Sequence, residues 1–151
     1  MAVFKYKLQN VLDIKFRMED QAKAEFASAM QKLDEEETKL AELIARKEAY
    51  EEEGKRLRES ILDVQKLRDN SQAIEHTKEL IAIQEQNVVK ARNAMELMRR
   101  RLTDAVMERK IHEKLKENSF EEFKREINAA ESKEVDELVS YTYGQRIKNE
   151  E

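Results

Sequence analysis

The sequence predicts an all-α fold, a long antiparallel two-helix coiled coil, on the strength of three observations. Charged residues make up 41% of the chain, against about a quarter in ordinary domains. The chain has no Pro and only two Gly, so few residues would interrupt a helix. Apolar residues recur every three or four positions in both halves, which is the period of a left-handed coiled coil. β-Branched and aromatic residues rarely alternate, so strands are not expected.

The first helix is predicted at about residues 5–65. One apolar seam runs along it through Leu8, Leu12, Ala22, Phe26, Ala29, Leu33, Leu40, Leu43, Tyr50, Leu57, Ile61 and Val64. The average spacing is close to 3.5 residues, as in paired helices. Four residues on this seam are not typical core residues, namely Glu19, Glu36, Lys47 and Gly54.

The turn between the helices is predicted at about residues 65–72. Asp69, Asn70 and Ser71 compete for backbone hydrogen bonds and therefore favour turns and helix caps. Asp69 with Gln72 would form a capping box that opens the second helix. Gly54 is an alternative break point, although one Gly inside a helix is tolerable.

The second helix is predicted at about residues 73–142, followed by a flexible tail, so that residues 1–151 form a single coiled-coil domain. Its seam first passes through Ile74, Ile81, Val88, Ala91, Met95, Met98, Leu102 and Ala105. The pattern slips near Arg109, which predicts a stutter, and resumes through Ile111, Leu115, Phe123, Ile127, Val135 and Leu138. Gly144 is the predicted helix stop. Tyr141 and Tyr143 would contact either the first helix or a partner.

Charge favours a hairpin over a parallel dimer. Residues 34–53 are strongly acidic, whereas residues 88–107 carry more bases than acids. A hairpin that folds near residue 70 places these segments side by side, and a parallel homodimer would place acids beside acids. Since flanking charges set orientation in coiled coils, the antiparallel hairpin is preferred.

No residues predict catalysis, a cofactor or a metal, and the protein is not expected to be an enzyme. A narrow seam offers little room for a ligand pocket, the chain has no Cys, and its two Gly cannot build a phosphate loop. His76 and His112 are expected to be solvated, because no second His follows at a zinc-binding spacing. No apolar run is long enough to cross a membrane or to act as a secretory signal, so any membrane association would be peripheral.

A basic cluster at Arg99, Arg100 and Arg101, with Arg109 and Lys110 beyond, leaves open binding to nucleic acid. The alternative is pairing with the acidic stretch across the hairpin. The small net charge of −4 and the lack of interleaved aromatics favour pairing, so nucleic acid is not an expected partner.

One stripe on the second helix suggests a docking surface. If Ile74, Ile81 and Val88 face the seam, a stripe on the roughly opposite face would hold His76, Leu80, Ile83 and Asn87. Leu80 and Ile83 would then be exposed although apolar. Such residues are either ordinary surface residues or a small docking patch, which Leu43 and Tyr50 of the first helix could widen.

Three blocks of the chain resemble the flagellar type III export protein family FliJ. These blocks are the opening Phe4–Lys15, the middle stretch Leu40–Gly54, and the late stretch Glu108–Glu117 followed by the acidic Glu134–Glu137. The resemblance implies a two-helix antiparallel coiled coil similar to the central stalk of rotary ATPases. It also implies a soluble cytoplasmic component of the flagellar export apparatus, held at the inner face of the cell membrane only through its partners.

The partners that the resemblance implies are the hexameric export ATPase, the export-gate membrane protein and export chaperones. Carried over from the family, the gate-binding residues would be Leu43, Arg46, Tyr50, His76, Leu80, Ile83 and Asn87. Arg46 stands where the family commonly has an aromatic. Two alternative functions are a coiled-coil chaperone or stalk of another secretion system, and a nucleic-acid-binding coiled coil.

Overall fold

The computed structural model describes residues 2–150 and consists of two helices that pack against each other as an antiparallel hairpin. Helix α1 spans Gln9–Glu59 and helix α2 spans Val64–Glu150. Residues 2–8 lead into α1, residues 60–63 connect the helices, and no residue in the described range forms a strand. The predicted all-α coiled-coil hairpin is confirmed. Residues 2–19 and 105–150 form one compact unit, and Asp20–Asp104 form the other.

In the unit formed by Asp20–Asp104, the seam follows a strict alternation of three- and four-residue steps. On α1 the seam consists of buried or half-buried residues, namely Ala22, Phe26, Ala29, Leu33, Glu36, Leu40, Leu43, Lys47, Tyr50, Gly54 and Leu57. The opposing face of α2 is built around Asn70, Thr77, Gln84, Val88, Ala91 and Met95, all of them buried. This is the heptad pattern in which positions a and d form the core. Much of this core is polar.

In the unit formed by residues 2–19 and 105–150, aromatic packing brings the segment before α1 onto α2. The Phe4 ring lies 5.2 Å from the Phe120 ring and 5.3 Å from the Phe123 ring, measured between centroids. Leu12 and Glu19 are the buried residues of α1 in this unit. These contacts hold the pre-helical segment against the flank of α2.

The turn lies at residues 60–63 and not at the predicted 65–72. Asp63 is the N-cap of α2, because its Oδ1 accepts hydrogen bonds from the backbone N–H groups of Gln65 (3.0 Å) and Lys66 (3.3 Å). The predicted capping box does not open this helix, since Asp69 lies within α2 and its Oδ1 accepts from the Gln65 side chain. Ile61 and Val64, both expected on the seam, are exposed at the turn.

Asn70, which was expected in the turn because of its residue type, is a core residue of the hairpin. Its Nδ2 donates to the backbone oxygen of Tyr50 at 2.8 Å. It packs against Gly54, where an added Cβ would lie 2.6 Å from Asn70 Oδ1. Gly54 is therefore not a break in α1. It is the residue that lets the Asn70 side chain approach the backbone of α1.

The predicted stutter near Arg109 is wrong. Within residues 105–150 the seam keeps its three- and four-residue steps through the half-buried residues Ala105, Arg109, His112, Lys116, Ser119 and Phe123. Ile111 and Leu115, predicted on the seam, are exposed. The apolar residues of the sequence leave the heptad spacing here, but the packing of the helix keeps it. The reason is that Arg109, which pairs with Glu19, occupies a core position. His112, expected to be solvated, is half-buried on this seam.

Helix α2 continues through Gly144 to Glu150, beyond the predicted end at 142. Gly144 does not adopt a positive φ, so it does not act as a C-cap. Tyr141 and Tyr143 are both exposed, and neither packs on α1. Val135 and Leu138, expected on the seam, are also exposed.

Candidate functional site

The seven predicted docking residues all lie in the unit formed by Asp20–Asp104 and share one flank of the hairpin. The seam spacing assigns Leu43 and Tyr50 to position d of α1 and Arg46 to the adjoining position g. On α2 it assigns Leu80 and Asn87 to position g and His76 and Ile83 to position c. The d, g and c positions follow one another around a helix, so this set, the d/g/c flank, is one surface built from both helices.

The exposure of the d/g/c flank differs from the prediction at two residues of α2. Ile83 is 60% exposed, as predicted for an apolar residue on the surface. Leu80, predicted to be exposed, is half-buried, and so is Asn87. Both occupy position g, which borders the seam and does not lie opposite it. The remaining members include the exposed Arg46 and His76 and the half-buried Leu43 and Tyr50.

Two polar contacts on the d side of the seam set the register of this flank. Gln84 lies opposite Glu36, and Asn70 lies opposite the backbone of Tyr50. In this register Leu43 lies near the level of Leu80, and Arg46 lies near the level of His76. Leu80 and His76 precede Ile83 by about one and two helical turns. At a rise of about 1.5 Å per residue, the flank extends for about 25 Å from the level of Tyr50 to that of Asn87.

A buried carboxylate anchors the flank from beneath. Glu36 is 5% exposed, and its Oε2 accepts a hydrogen bond from Gln84 Nε2 at 2.5 Å. Gln84 Oε1 in turn accepts from Asn87 Nδ2 at 3.2 Å, which ties a residue of the flank to the core. Hydrogen bonds from Lys32 and then Gln84 lower the pKa of Glu36 to about 2. The carboxylate therefore stays charged at neutral pH, and it contacts Asn87 of the flank through Gln84.

Two basic residues of α2, Arg92 and Arg99, are engaged within the same unit. Arg92 pairs with Glu37 across the hairpin at 3.3 Å, as the charge argument predicts. The Arg99 guanidinium pairs with Glu96 and lies over the Phe26 ring, 5.7 Å from its centroid. Both contacts direct positive charge onto the hairpin itself, on the flank away from Ile83.

Candidate metal ligands do not cluster within residues 2–150. No group of three or more His, Asp or Glu side chains in this range is placed to hold a metal ion. His76 is exposed on the d/g/c flank. Neither described helix holds an apolar stretch of the length and hydropathy that a membrane span requires.

Sequence reasoning missed one apolar surface in the unit formed by residues 2–19 and 105–150. The exposed apolar residues outside the seam there include Ile14, Met18, Met107, Ile111 and Leu115. Lys15 pairs with Glu108 between them, Nζ to Oε2 at 2.6 Å. The regular i, i+4, i+8 spacing of the three residues on α2 was the available signal.

Comparison with known sequences identifies the family to which this chain belongs. The sequence model of the flagellar FliJ protein family matches residues 4–148, nearly the whole chain. The chain belongs to this family. A curated relative, the flagellar FliJ protein of Bacillus subtilis (strain 168), is 28% identical over 135 residues, which cover 89% of this chain and 92% of the relative. No solved structure matches the chain significantly.

Membership of the FliJ family makes this chain a flagellar protein connected with protein export. The opening block contributes Phe4, which packs on Phe120 and Phe123. The late block contributes Arg109 and Glu113, which pair with each other at 2.9 Å. Residues of both blocks therefore make contacts within the hairpin.

Proposed function

We propose that this FliJ-family protein is a soluble, stalk-like partner of the flagellar export ATPase that also links the ATPase to the export gate and to export chaperones during flagellum assembly. It acts in the cytoplasm, at the inner face of the membrane, and reaches the membrane only through its partners. It uses no active site, metal or cofactor. Its function rests on surfaces of the coiled coil.

The observation that carries the proposal is the d/g/c flank. A β-branched apolar side chain, Ile83, is 60% exposed there among half-buried residues of both helices. Interface anchors are side chains that become fully desolvated on binding and are surrounded by contacts that exclude water. The flank is held in place by Gln84 and Glu36, so a partner would meet a preorganised surface. We assign the export-gate membrane protein to this flank.

The ATPase is assigned to the termini, in the unit formed by residues 2–19 and 105–150. Its faces carry charges of both signs, and the whole of residues 128–150 is exposed. Charged surfaces of this kind favour many weak contacts, which guide a partner without fixing it rigidly. Such contacts suit a stalk that must change position within an ATPase ring.

A binding measurement with two matched variants tests the gate assignment. Ile83→Asp places a charge at the centre of the flank, and Val89→Asp places the same charge at position b of the same helix, on an apolar residue that is 45% exposed. Affinity for the soluble part of the cognate gate protein, measured by isothermal titration calorimetry, should fall at least about tenfold for Ile83→Asp. Val89→Asp should bind like the wild type.

Both variants should keep the wild-type helical circular dichroism, because neither residue lies in the core. Equal affinity of Ile83→Asp and the wild type would overturn the gate assignment. Adding Leu80→Asp to Ile83→Asp should abolish gate binding. Because Leu80 is half-buried, Leu80→Asp can also lower the stability of the hairpin. The double variant is therefore interpreted together with Ile83→Asp alone.

A further inference from the structure

The last part of α2 has no helix alongside it within the described chain. From Asn128 to Glu150 every residue is exposed, although the segment is helical throughout. An isolated helix of this length is marginal in water unless something covers its apolar side. The segment therefore presents an unpartnered helical face.

This face is distinct from the seam that pairs with α1. Ile127 is the last half-buried residue of α2. The seam spacing continued from Phe123 leads through Glu126 to Ala130, Lys133, Glu137 and Ser140, which make a poor core. An apolar stripe runs elsewhere, through Val135, Leu138, Val139 and Thr142, within about 100° around the helix axis. Leu138 is 67% exposed. The stripe is long enough for about two turns of helix–helix packing.

The charges that border the stripe differ between its two ends. The residues before Leu138 include four acids and one base, namely Glu131, Lys133, Glu134, Asp136 and Glu137. Beyond Thr142 the charged residues of the segment are the bases Arg146 and Lys148 and the acid Glu150, so this end carries a net positive charge. The segment is thus acidic at one end of the stripe and basic at the other. Such a segment is complementary to its own reversed copy.

We propose that residues 128–150 pair antiparallel with the same segment of a second copy of this chain. The overlap is centred near residue 140, so that Leu138 of one copy faces Thr142 of the other and Glu134 lies beside Arg146. The contact is closed and two-fold, as is usual for homodimers. A parallel pair would place the acidic ends together, and like charges side by side are unfavourable.

The short stripe implies a weak, concentration-dependent dimer, since small interfaces lie at the lower limit of specific association. The inference does not depend on the proposed function, because it uses only the charge pattern and exposure of one segment. A dimer would cover the C-terminal face, so self-association and the binding of another partner to that face would exclude each other.

Sedimentation equilibrium of the full chain at low salt tests the proposal. The wild type should show a reversible increase in mass from the 17.9 kDa monomer towards the dimer. Leu138→Asp should lower the association constant at least tenfold, and Val89→Asp, outside the segment, should leave it unchanged. A wild type that stays monomeric at all accessible concentrations would overturn the proposal.

Charge reversal tests the orientation. The pair Glu131→Lys and Glu134→Lys should weaken association several-fold, and so should the pair Arg146→Glu and Lys148→Glu. All four changes together should restore it, because the complementary pattern returns with the signs exchanged. In a parallel dimer the first pair of changes would instead strengthen association, which would contradict the antiparallel arrangement.

A spin-label distance gives an independent readout. The native chain has no Cys, so Ser132→Cys provides a unique labelling site on the full-length protein. An antiparallel overlap centred near residue 140 predicts about 25 Å between the two labels, at 1.5 Å rise per residue. A parallel dimer in register predicts about 10 Å, the distance between packed helices. The shorter distance would exclude the proposed geometry.

Discussion

Arg109 and Glu19 form a bidentate ion pair on the seam between the helices, with Nε to Oε2 at 2.6 Å and Nη2 to Oε1 at 3.2 Å. Glu19 is 5% exposed, although carboxylates are seldom buried this far without a partner. Arg109 also pairs with Glu113 on its own helix. Hydrogen bonds that Arg109 donates to Glu19 and then to Glu113 raise the pKa of Arg109 above its ordinary value. The pair occupies a layer of the seam where apolar residues would be usual. Its two hydrogen bonds favour the alignment of α1 and α2 in which Glu19 lies opposite Arg109.

Removing one partner of this pair should destabilise the protein more than removing both. Glu19→Ala leaves a guanidinium on the seam without its bidentate partner, which is costlier than an apolar layer. We expect a lower Tm for Glu19→Ala, measured by circular dichroism, than for the double change Glu19→Leu with Arg109→Leu. Glu117→Ala, which removes an exposed partner of Lys114, should have little effect. If Glu19→Ala had the same Tm as the double change or a higher one, the ion pair would not stabilise this layer of the seam.

Gly54→Ala should destabilise the hairpin, although Ala favours helix by about 1 kcal/mol over Gly. The new Cβ would lie 2.6 Å from Asn70 Oδ1. Asn70 must then move and weaken its bond to the Tyr50 backbone, and a buried polar group left without its partner costs about 1–3 kcal/mol, which outweighs the gain in helix propensity. In an Asn70→Ala background the same change should stabilise the protein by about 1 kcal/mol. Urea unfolding measures the change in the free energy of unfolding that Gly54→Ala causes in each background. Equal changes in the two backgrounds would argue against the close approach of Asn70 to Gly54.

The position of the turn can be tested through its cap. Asp63→Ala should cost about 1 kcal/mol in the free energy of unfolding, because two backbone N–H groups lose their acceptor. Asp69→Ala removes only a side-chain contact within α2 and should stay within about 0.5 kcal/mol of the wild type. Urea unfolding of both variants decides between a helix that begins after Asp63 and one that begins after Asp69. The reverse order of effects would favour the later start.

Stability should fall in acid partly through Glu36. Its pKa in the folded protein is lowered from the ordinary 4.5 to about 2, so the unfolded chain binds a proton more readily. The stabilisation from this carboxylate is therefore present above about pH 4.5 and is lost as the pH falls towards 2. The Tm difference between the wild type and Glu36→Gln should shrink from pH 6 to pH 2.5. A difference that is constant with pH would contradict the assigned pKa.

The hairpin could be predicted from spacing and charge because both are properties of long segments. Apolar residues repeat at 3.5 positions through most of the chain, and Arg92 pairs with Glu37 across the helices as the charge distribution predicts. The turn could not be placed in this way. Asn70 has the chemistry of a turn residue, and its role in the core depends on a Gly sixteen positions earlier, which only the paired helices bring close.

Local details of the surface were also beyond sequence reasoning. Ile111 and Leu115 were assigned to the seam because they are apolar, yet Arg109 and His112 occupy it, since Glu19 supplies a partner from α1. At the candidate docking flank, the exposure of Ile83 could be predicted from helical geometry alone. The partial burial of Leu80 required knowledge of where α1 borders the seam. That the seven residues bind the gate stays a prediction.

The stalk-like role is tested most directly by ATP hydrolysis by the cognate flagellar export ATPase, measured with and without this protein. We expect the hydrolysis rate of the assembled ATPase to rise clearly on addition of the wild-type chain. Ile83→Asp should stimulate to the same extent, because that residue is assigned to the gate. Unchanged hydrolysis in the presence of protein shown to be folded and helical would contradict the proposed partnership with the ATPase.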